Sequence, residues 1–155
     1  MKILAIDPGT KCGYALSPFE SGVWNLSVGR HEGGGMRFVK LRNYLTKTVG
    51  GASQFGQSLV DMVAYEEVRG HKGTDAAQVY GGIVAIISEY CEWVKIPYQG
   101  VPVGTIKKFA TGKGNSNKEA MLAAAREKWP EVDIVDDNQA DALFLWAWAK
   151  EEYGL

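Results

Sequence analysis

Residues 2–30 read KILAIDPGTKCGYALSPFESGVWNLSVGR, and this stretch decides the kind of sheet the chain can build. KILAID (2–7) is a short apolar strand, and PGTKCG is turn chemistry. YALS and GVWNLSVGR follow, with turn residues between them, so three strands succeed one another through short connections. Short connections make them an antiparallel meander. After the loop HEGGG, MRFVKLRNYLTKTV (36–49) places Phe38, Leu41 and Leu45 at helical spacing, with Lys and Arg opposite. GGASQFGQS breaks that helix. LVDMVAYEEV reads as a nearly continuous apolar strand, hence central and buried on both faces. Following RGHKGTD, a helix capped by Thr74 or Asp75 runs to about Val94, with Ala76, Val79, Tyr80, Ile83, Ile87, Tyr90 and Val94 on one stripe. IPYQGVP is a fifth strand. A short helix around GTIKKFA, the loop TGKGNSN, a helix over KEAMLAAAREKW and the linker PEVDIVDD lead to a last helix beginning near Asp137. A meander followed by helix-connected strands predicts an α/β fold: a mixed five-stranded sheet, three strands antiparallel and two parallel, flanked by helices.

The chain has 155 residues, 46% hydrophobic and 23% charged, which fits a single globular domain over 1–155. No apolar run reaches transmembrane length, so no membrane partner is expected. Cys12 and Cys91 form no C-x-x-C pair and come with only two histidines. That makes zinc an unsuitable choice and points to a reducing compartment such as the cytoplasm. The net charge of −1 is uninformative, but its distribution is not. Residues 103–128 carry Lys107, Lys108, Lys113, Lys118, Arg126 and Lys128 against Glu119 and Glu127, whereas residues 131–141 carry five acids and no base. A basic surface beside an acidic pocket suits a protein that grips a polyanion and presents cations to it; solvated alternating charge is the plainer alternative.

The acids converge on one place. Strand one ends in Asp7, and strand four ends in Glu66–Glu67, whose side chains alternate, so one of the two faces Asp7. In the last helix Asp141 shares a face with Leu145 and Trp148, and a carboxylate aimed at an apolar core needs neutralisation, a partner or a metal. Asp137, at i−4, lies on the same face, while Asp136 is rotated away. Asp7, one of the two glutamates, Asp137 and Asp141 thus form a candidate all-oxygen site. Such a site selects Mg²⁺, with Mn²⁺ as a substitute, and two ions there would serve in-line displacement at phosphorus. No small-molecule cofactor is expected.

IDPGTKCGYA, AYEEV, GTIKKFATGKGNSNK and NQADALFLWAWA together resemble, in order and spacing, the motifs of RuvC-type Holliday-junction resolvases, most like the phage-encoded members. The resemblance implies an RNase H-like fold and a homodimer. It also implies Mg²⁺-dependent paired nicking of four-way and other branched DNA, leaving 5′-phosphate and 3′-hydroxyl ends. By motif, Asp7, Glu66 and Asp141 match metal-binding carboxylates, and Lys107 and Lys118 match basic residues at the scissile region. DNA contacts are expected from Arg69, Lys72, Lys107, Lys108, Lys113 and Lys118. Two positions depart from the bacterial pattern. Asn138 stands where those members carry an aspartate, which leaves Asp136, Asp137 and Asn138 as alternatives for the fourth ligand, with Asp137 preferred by its face. Arg69 stands where they carry an aromatic wedge. For the dimer, the helix at 75–94 is the expected interface, because Gly81–Gly82 permits close approach and Val84, Ile86 and Trp93 extend its apolar surface. Burial of that helix within one chain is the competing explanation. The Asp-Pro-Gly-Thr turn also resembles the phosphate loop of actin-type ATPases, but those need two such lobes. A pre-ribosomal-RNA nuclease of the same superfamily and a non-catalytic branched-DNA-binding protein remain the rival functions.

Overall fold

A computed structural model describes residues 1–51 and 56–154. Five strands form one sheet: β1 (Ile3–Asp7), β2 (Lys11–Ala15), β3 (Ser21–Asn25), β4 (Met62–Glu67) and β5 (Tyr98–Pro102). The helices are α1 (Met36–Thr48), α2 (Thr74–Val94), α3 (Val103–Thr111), α4 (Lys118–Lys128) and α5 (Asp137–Ala149), followed by a π-helical turn, Lys150–Gly154. The spatial order is β3-β2-β1-β4-β5, with the first three antiparallel and β1, β4 and β5 parallel. This is the mixed sheet expected of the meander. β1 is central, and every one of its residues is buried. Among the described residues no helix is long and apolar enough to cross a membrane.

Side chains alternate across the sheet and divide the core in two. Ile3, Ala5, Ala64 and Val101 pack under α3, α4 and α5 with Leu143 and Phe144. Leu4, Ile6 and Val63 pack under α1 and α2 with Leu41, Leu45, Ile83 and Ile87. Cys12 and Cys91 are both free and buried in this second cluster.

Three local expectations are corrected. Lys11–Gly13 belongs to β2, not to the turn before it: Asp7 pairs with Gly13, and the ladder to β3 begins at Lys11. β3 ends at Asn25, earlier than expected, where the Asn25 side chain accepts from the Ser27 N–H and bends the chain. Neither Thr74 nor Asp75 caps α2. The cap is Gly73, at φ 100° and ψ 160°, a conformation essentially restricted to glycine. The expected break over GGASQFGQS is seen at Gly50 and Gly51, both at positive φ, while its residues 52–55 lie outside the described residues.

Candidate metal centre

The parallel register of β1 and β4 pairs Ile3 with Met62 and Ile6 with Tyr65. The same offset carries Asp7 to Glu66, and the antiparallel register on the other side carries Asp7 to Gly13. A row Glu66–Asp7–Gly13 therefore crosses the sheet on its α5 face, with two carboxylates and then no side chain. The gap is occupied by helix backbone. A Cβ built on Gly13 would lie 2.0 Å from the Asn138 carbonyl oxygen and 3.3 Å from the Ala142 Cβ. The start of α5 thus sits directly on β2, and Asp141, one turn further on, is held over the two sheet carboxylates.

Polar contacts fix that helix end. Asp136 is the N-cap and accepts from the Gln139 N–H at 2.9 Å. Gln139 is 2% exposed, and its amide is filled on both sides: Oε1 accepts from the Val135 N–H, and Nε2 donates to Ser21 Oγ. The Asn138 side chain donates to Asp136 Oδ2, so it is engaged in the cap.

Asp7, Glu66 and Asp141 each offer an oxygen, and these oxygens lie within 4.8 Å of one another. Asp7 and Glu66 are buried. Burial, then the charges of Glu66 and Asp141, holds the Asp7 carboxyl well above the usual carboxylate range. Burial also raises Glu66, against which a hydrogen bond from Asp7 and the positive charge of Lys107 act. Asp141 is pushed up to about 8 by burial and then by the charges of Glu66 and Asp137, with Lys107 opposing. Its Oδ1 is buried and has no hydrogen-bond partner. Three acids that repel one another, with an orphaned oxygen among them, form an arrangement that a divalent cation would satisfy. All three donors are hard carboxylate oxygens, of the kind that suits divalent cations such as Mg²⁺, Mn²⁺ or Ca²⁺. Asp137 opens α5 outside this group, yet close enough that its charge raises all three. Asp136 is spent on the cap. Glu67 is on the opposite face, folded with the Tyr65 hydroxyl over Gly100.

The basic residues divide. Lys107, half-buried on α3, is the one whose charge reaches the carboxylates. Lys118 is exposed at the first residue of α4, whose N-cap Asn117 accepts from the Ala120 N–H, and it lines a groove with Gly9 and Thr10. Lys72, Lys108 and Lys113 are exposed. Arg69 is exposed and paired with Glu67 at 2.9 Å. Arg126 and Lys128, counted in the same basic run, are used locally: Arg126 donates to the Ile134 carbonyl, and Lys128 lies over the Trp129 ring.

Two positioning residues escaped the sequence reading. Gly13 looked like a turn glycine, although a glycine inside a strand is itself a sign of close backbone approach. Gln139 sat unremarked in NQAD, and a lone polar residue facing an apolar stripe was its only signal. Gly82 was noticed but misassigned. A Cβ there would lie 2.5 Å from the Phe38 ring, so this glycine serves the packing of α1 on α2 within the chain. Gly81 faces open space.

Strand order, helix placement and the acidic group at the ends of β1 and β4 define an RNase H-like α/β fold. Within that class the fold is that of the RuvC-type Holliday-junction resolvases. A structure of T. thermophilus RuvC in complex with a Holliday junction substrate superposes with a TM-score of 0.71 at 18% identity, covering 94% of this chain and 90% of that one. A second Thermus thermophilus RuvC structure gives 0.72 at 17% identity, covering 98% and 96%. The yeast mitochondrial Holliday junction resolvase gives 0.57 at 13% identity, covering 99% and 81%. No family model and no curated protein sequence matches the chain.

Proposed function

We propose that this chain is a divalent-metal-dependent endodeoxyribonuclease that resolves four-way DNA junctions, and other branched DNA, by paired nicking. The observation that carries this reading is the Asp7–Glu66–Asp141 group, with its orphaned Asp141 oxygen, at the sheet end of a RuvC fold. The T. thermophilus relative with that fold was captured on a Holliday junction.

Asp7, Glu66 and Asp141 would hold Mg²⁺, or Mn²⁺ in its place, with Asp137 as the fourth carboxylate and two ions in all. Bound there, such ions supply Lewis-acid stabilisation of the attacking and leaving oxygens in displacement at phosphorus. The protein's own part is preorganisation. Gly13 and Gln139 fix α5, so that Asp141 meets Asp7 and Glu66 without a search. Lys107 offsets the negative charge at Glu66 and Asp141 and offers a cation to the phosphate at the cut. Lys118 adds a second cation at a helix N-terminus that favours anions. Lys72, Lys108 and Lys113 extend the grip along the backbone, and Arg69 joins them by leaving Glu67. Water opening the phosphodiester on the side of the 3′ oxygen leaves a 5′-phosphate and a 3′-hydroxyl.

Resolution needs two cuts related by symmetry, which a two-fold dimer supplies. The exposed side of α2 around Ala77, Gly81 and Ala85 supports such an interface. Gly81→Arg is the variant to use, because Gly82→Arg would collide with Phe38 inside the chain. The expected result is a folded protein that sediments as a monomer and nicks one strand only; a wild type that is already monomeric at micromolar concentration excludes the dimer.

Cleavage of a four-way junction, a linear duplex and a structured RNA, each with Mg²⁺ and with chelator, tests the function. Symmetric nicking of the junction alone is expected. Preferential cutting of RNA would establish the ribosomal-RNA nuclease, and metal-independent binding without cutting would establish the non-catalytic protein.

A further inference from the structure

Beside the carboxylates lies an open groove of about 680 Å³, within the size range of small-ligand sites. It is walled by the turn that follows Asp7 (Pro8, Gly9, Thr10), by Val68 just beyond Glu66, and by the start of α2. Its chemistry is uneven in an informative way. The rings of His71 and Tyr80 form a tilted pair with centroids 4.7 Å apart, Val68 and Val79 are apolar, and Lys118 is the single cation. His71 Nε2 is buried and makes no hydrogen bond. The nitrogen is covered as the ring now lies, and a turn of the His71 ring towards the groove would let a ligand with a hydrogen-bonding edge satisfy it.

We propose that this groove receives one nucleobase next to the cut, extruded from the stack as the junction is held open. The proposal rests on the nuclease reading and names what the site does with the DNA beyond its phosphate. A base has a π-face for the His71–Tyr80 pair, polar edges for His71 and Thr10, and a 5′ or 3′ phosphate for Lys118. A bare phosphate would use only Lys118 and leave the aromatic wall idle.

Tyr80 connects the groove to the carboxylates. Its hydroxyl donates to the Glu66 carbonyl and accepts from the Val68 N–H, both at 2.9 Å. The ring that would bear the base therefore also fixes the backbone on either side of Glu67. Tyr80 acts as a positioning residue, and a filled groove steadies the end of β4 that presents Glu66.

The test uses four-way junctions carrying a single abasic residue at each nucleotide flanking the cut in turn. Affinity is measured in Ca²⁺ without cleavage, and rates are measured in Mg²⁺. For the wild type, one abasic position should weaken binding about tenfold, the worth of one base stacked on aromatic side chains. With His71→Ala or Tyr80→Leu, the intact junction should bind about tenfold more weakly, and the abasic residue should cost nothing further. Tyr80→Phe keeps the ring and should bind normally, with kcat reduced several-fold and KM unchanged. Abasic penalties that are equal in wild type and His71→Ala would overturn the proposal, as would an absence of any penalty at every position. His71 is half-buried in the irregular segment between β4 and α2, outside every helix and strand, and the abasic junction leaves the protein intact, so a folding defect in Tyr80→Leu would not obscure the result. Failure of the nuclease reading would show separately, as loss of cleavage in the wild type with the Ca²⁺ binding comparison still readable.

Discussion

On the α5 face of the sheet, Gly13 leaves room for the Asn138 carbonyl; on the α2 face, Gly82 leaves room for the Phe38 ring. Both glycines permit a helix contact closer than any side chain would allow. The outcomes differ at the sheet's end. On the α2 face the two tyrosine hydroxyls are matched: Tyr80 closes on Glu66 and Val68, and Tyr90 donates to the Gly50 carbonyl at 2.8 Å. Under α5 the close approach drives three carboxylates together and leaves one of their oxygens without a partner. Burying unmatched charge is unfavourable unless something arrives to match it. Among the described residues one face gathers no carboxylate cluster, and the other gathers three carboxylates that a cation would satisfy.

That contrast can be broken in graded steps. The largest effect should come from Asp7→Asn or Glu66→Gln, which should lower Mg²⁺-dependent cleavage at least about 10³-fold, as loss of a principal electrostatic stabiliser does, while junction binding in a gel-shift assay holds. Undiminished cleavage would remove the carboxylates from the chemistry. Next is Gly13→Ala. The added methyl must displace α5, and a shift of about 1 Å at a catalytic group costs on the order of 10²-fold in rate. Gly82→Ala, the matching change on the other face, should lower stability by about 1–3 kcal/mol through overpacking and leave the rate per folded molecule unchanged. Equal catalytic losses for the two glycines would erase the distinction between the faces.

A smaller effect concerns pH. The Asp141 carboxyl is raised from 3.8 to about 8 in the folded chain, so the folded state holds a proton that the unfolded state has released. Without metal, stability should therefore be greatest below pH 4 and fall as pH rises towards 8, where ionised Asp141 is buried among other acids. Asp141→Asn should flatten this profile. The variant should be more stable than wild type at pH 8 by about 1–3 kcal/mol and nearly equal to it at pH 4, as read by urea denaturation in chelator. A wild-type curve that rises over this range would contradict the burial argument. The smallest effect is on binding: Lys107→Ala and Lys118→Ala should each reduce the salt slope of junction affinity by about one. An unchanged slope would remove both lysines from the phosphate contacts.

Much of this was legible in the residues. The meander in residues 2–30 and the apolar run at 62–65 disclose a mixed sheet with a doubly buried fourth strand, because short connections and double burial leave few topologies. Side-chain alternation separated Glu66 from Glu67. Helical spacing put Asp137 on the face of Asp141, and the structure keeps it near while leaving it outside the group of three. What the residues could not disclose depended on contacts between distant segments. The 118-residue separation between Gln139 and Ser21 leaves no periodic trace. A glycine's value depends on what lies opposite, so Gly13 was read as a turn and Gly82 as an interface. The cap of α2 was misjudged because Thr74 and Asp75 carry the usual capping side chains, whereas Gly73 wins by a backbone conformation they cannot easily adopt.

The central claim is that the α5 face is unfinished without a cation, and titration of the DNA-free protein with Mn²⁺ tests it most directly. Calorimetry at pH 6.5 in two buffers of different ionisation enthalpy reads affinity and proton release together. At that pH the Asp141 carboxyl, raised to about 8, still holds a proton that a bound cation must displace. Wild type should bind Mn²⁺ with net release of protons. Asp141→Asn should bind at least about tenfold more weakly and release fewer. Equal affinity in the two proteins, or binding without proton release, would contradict the account.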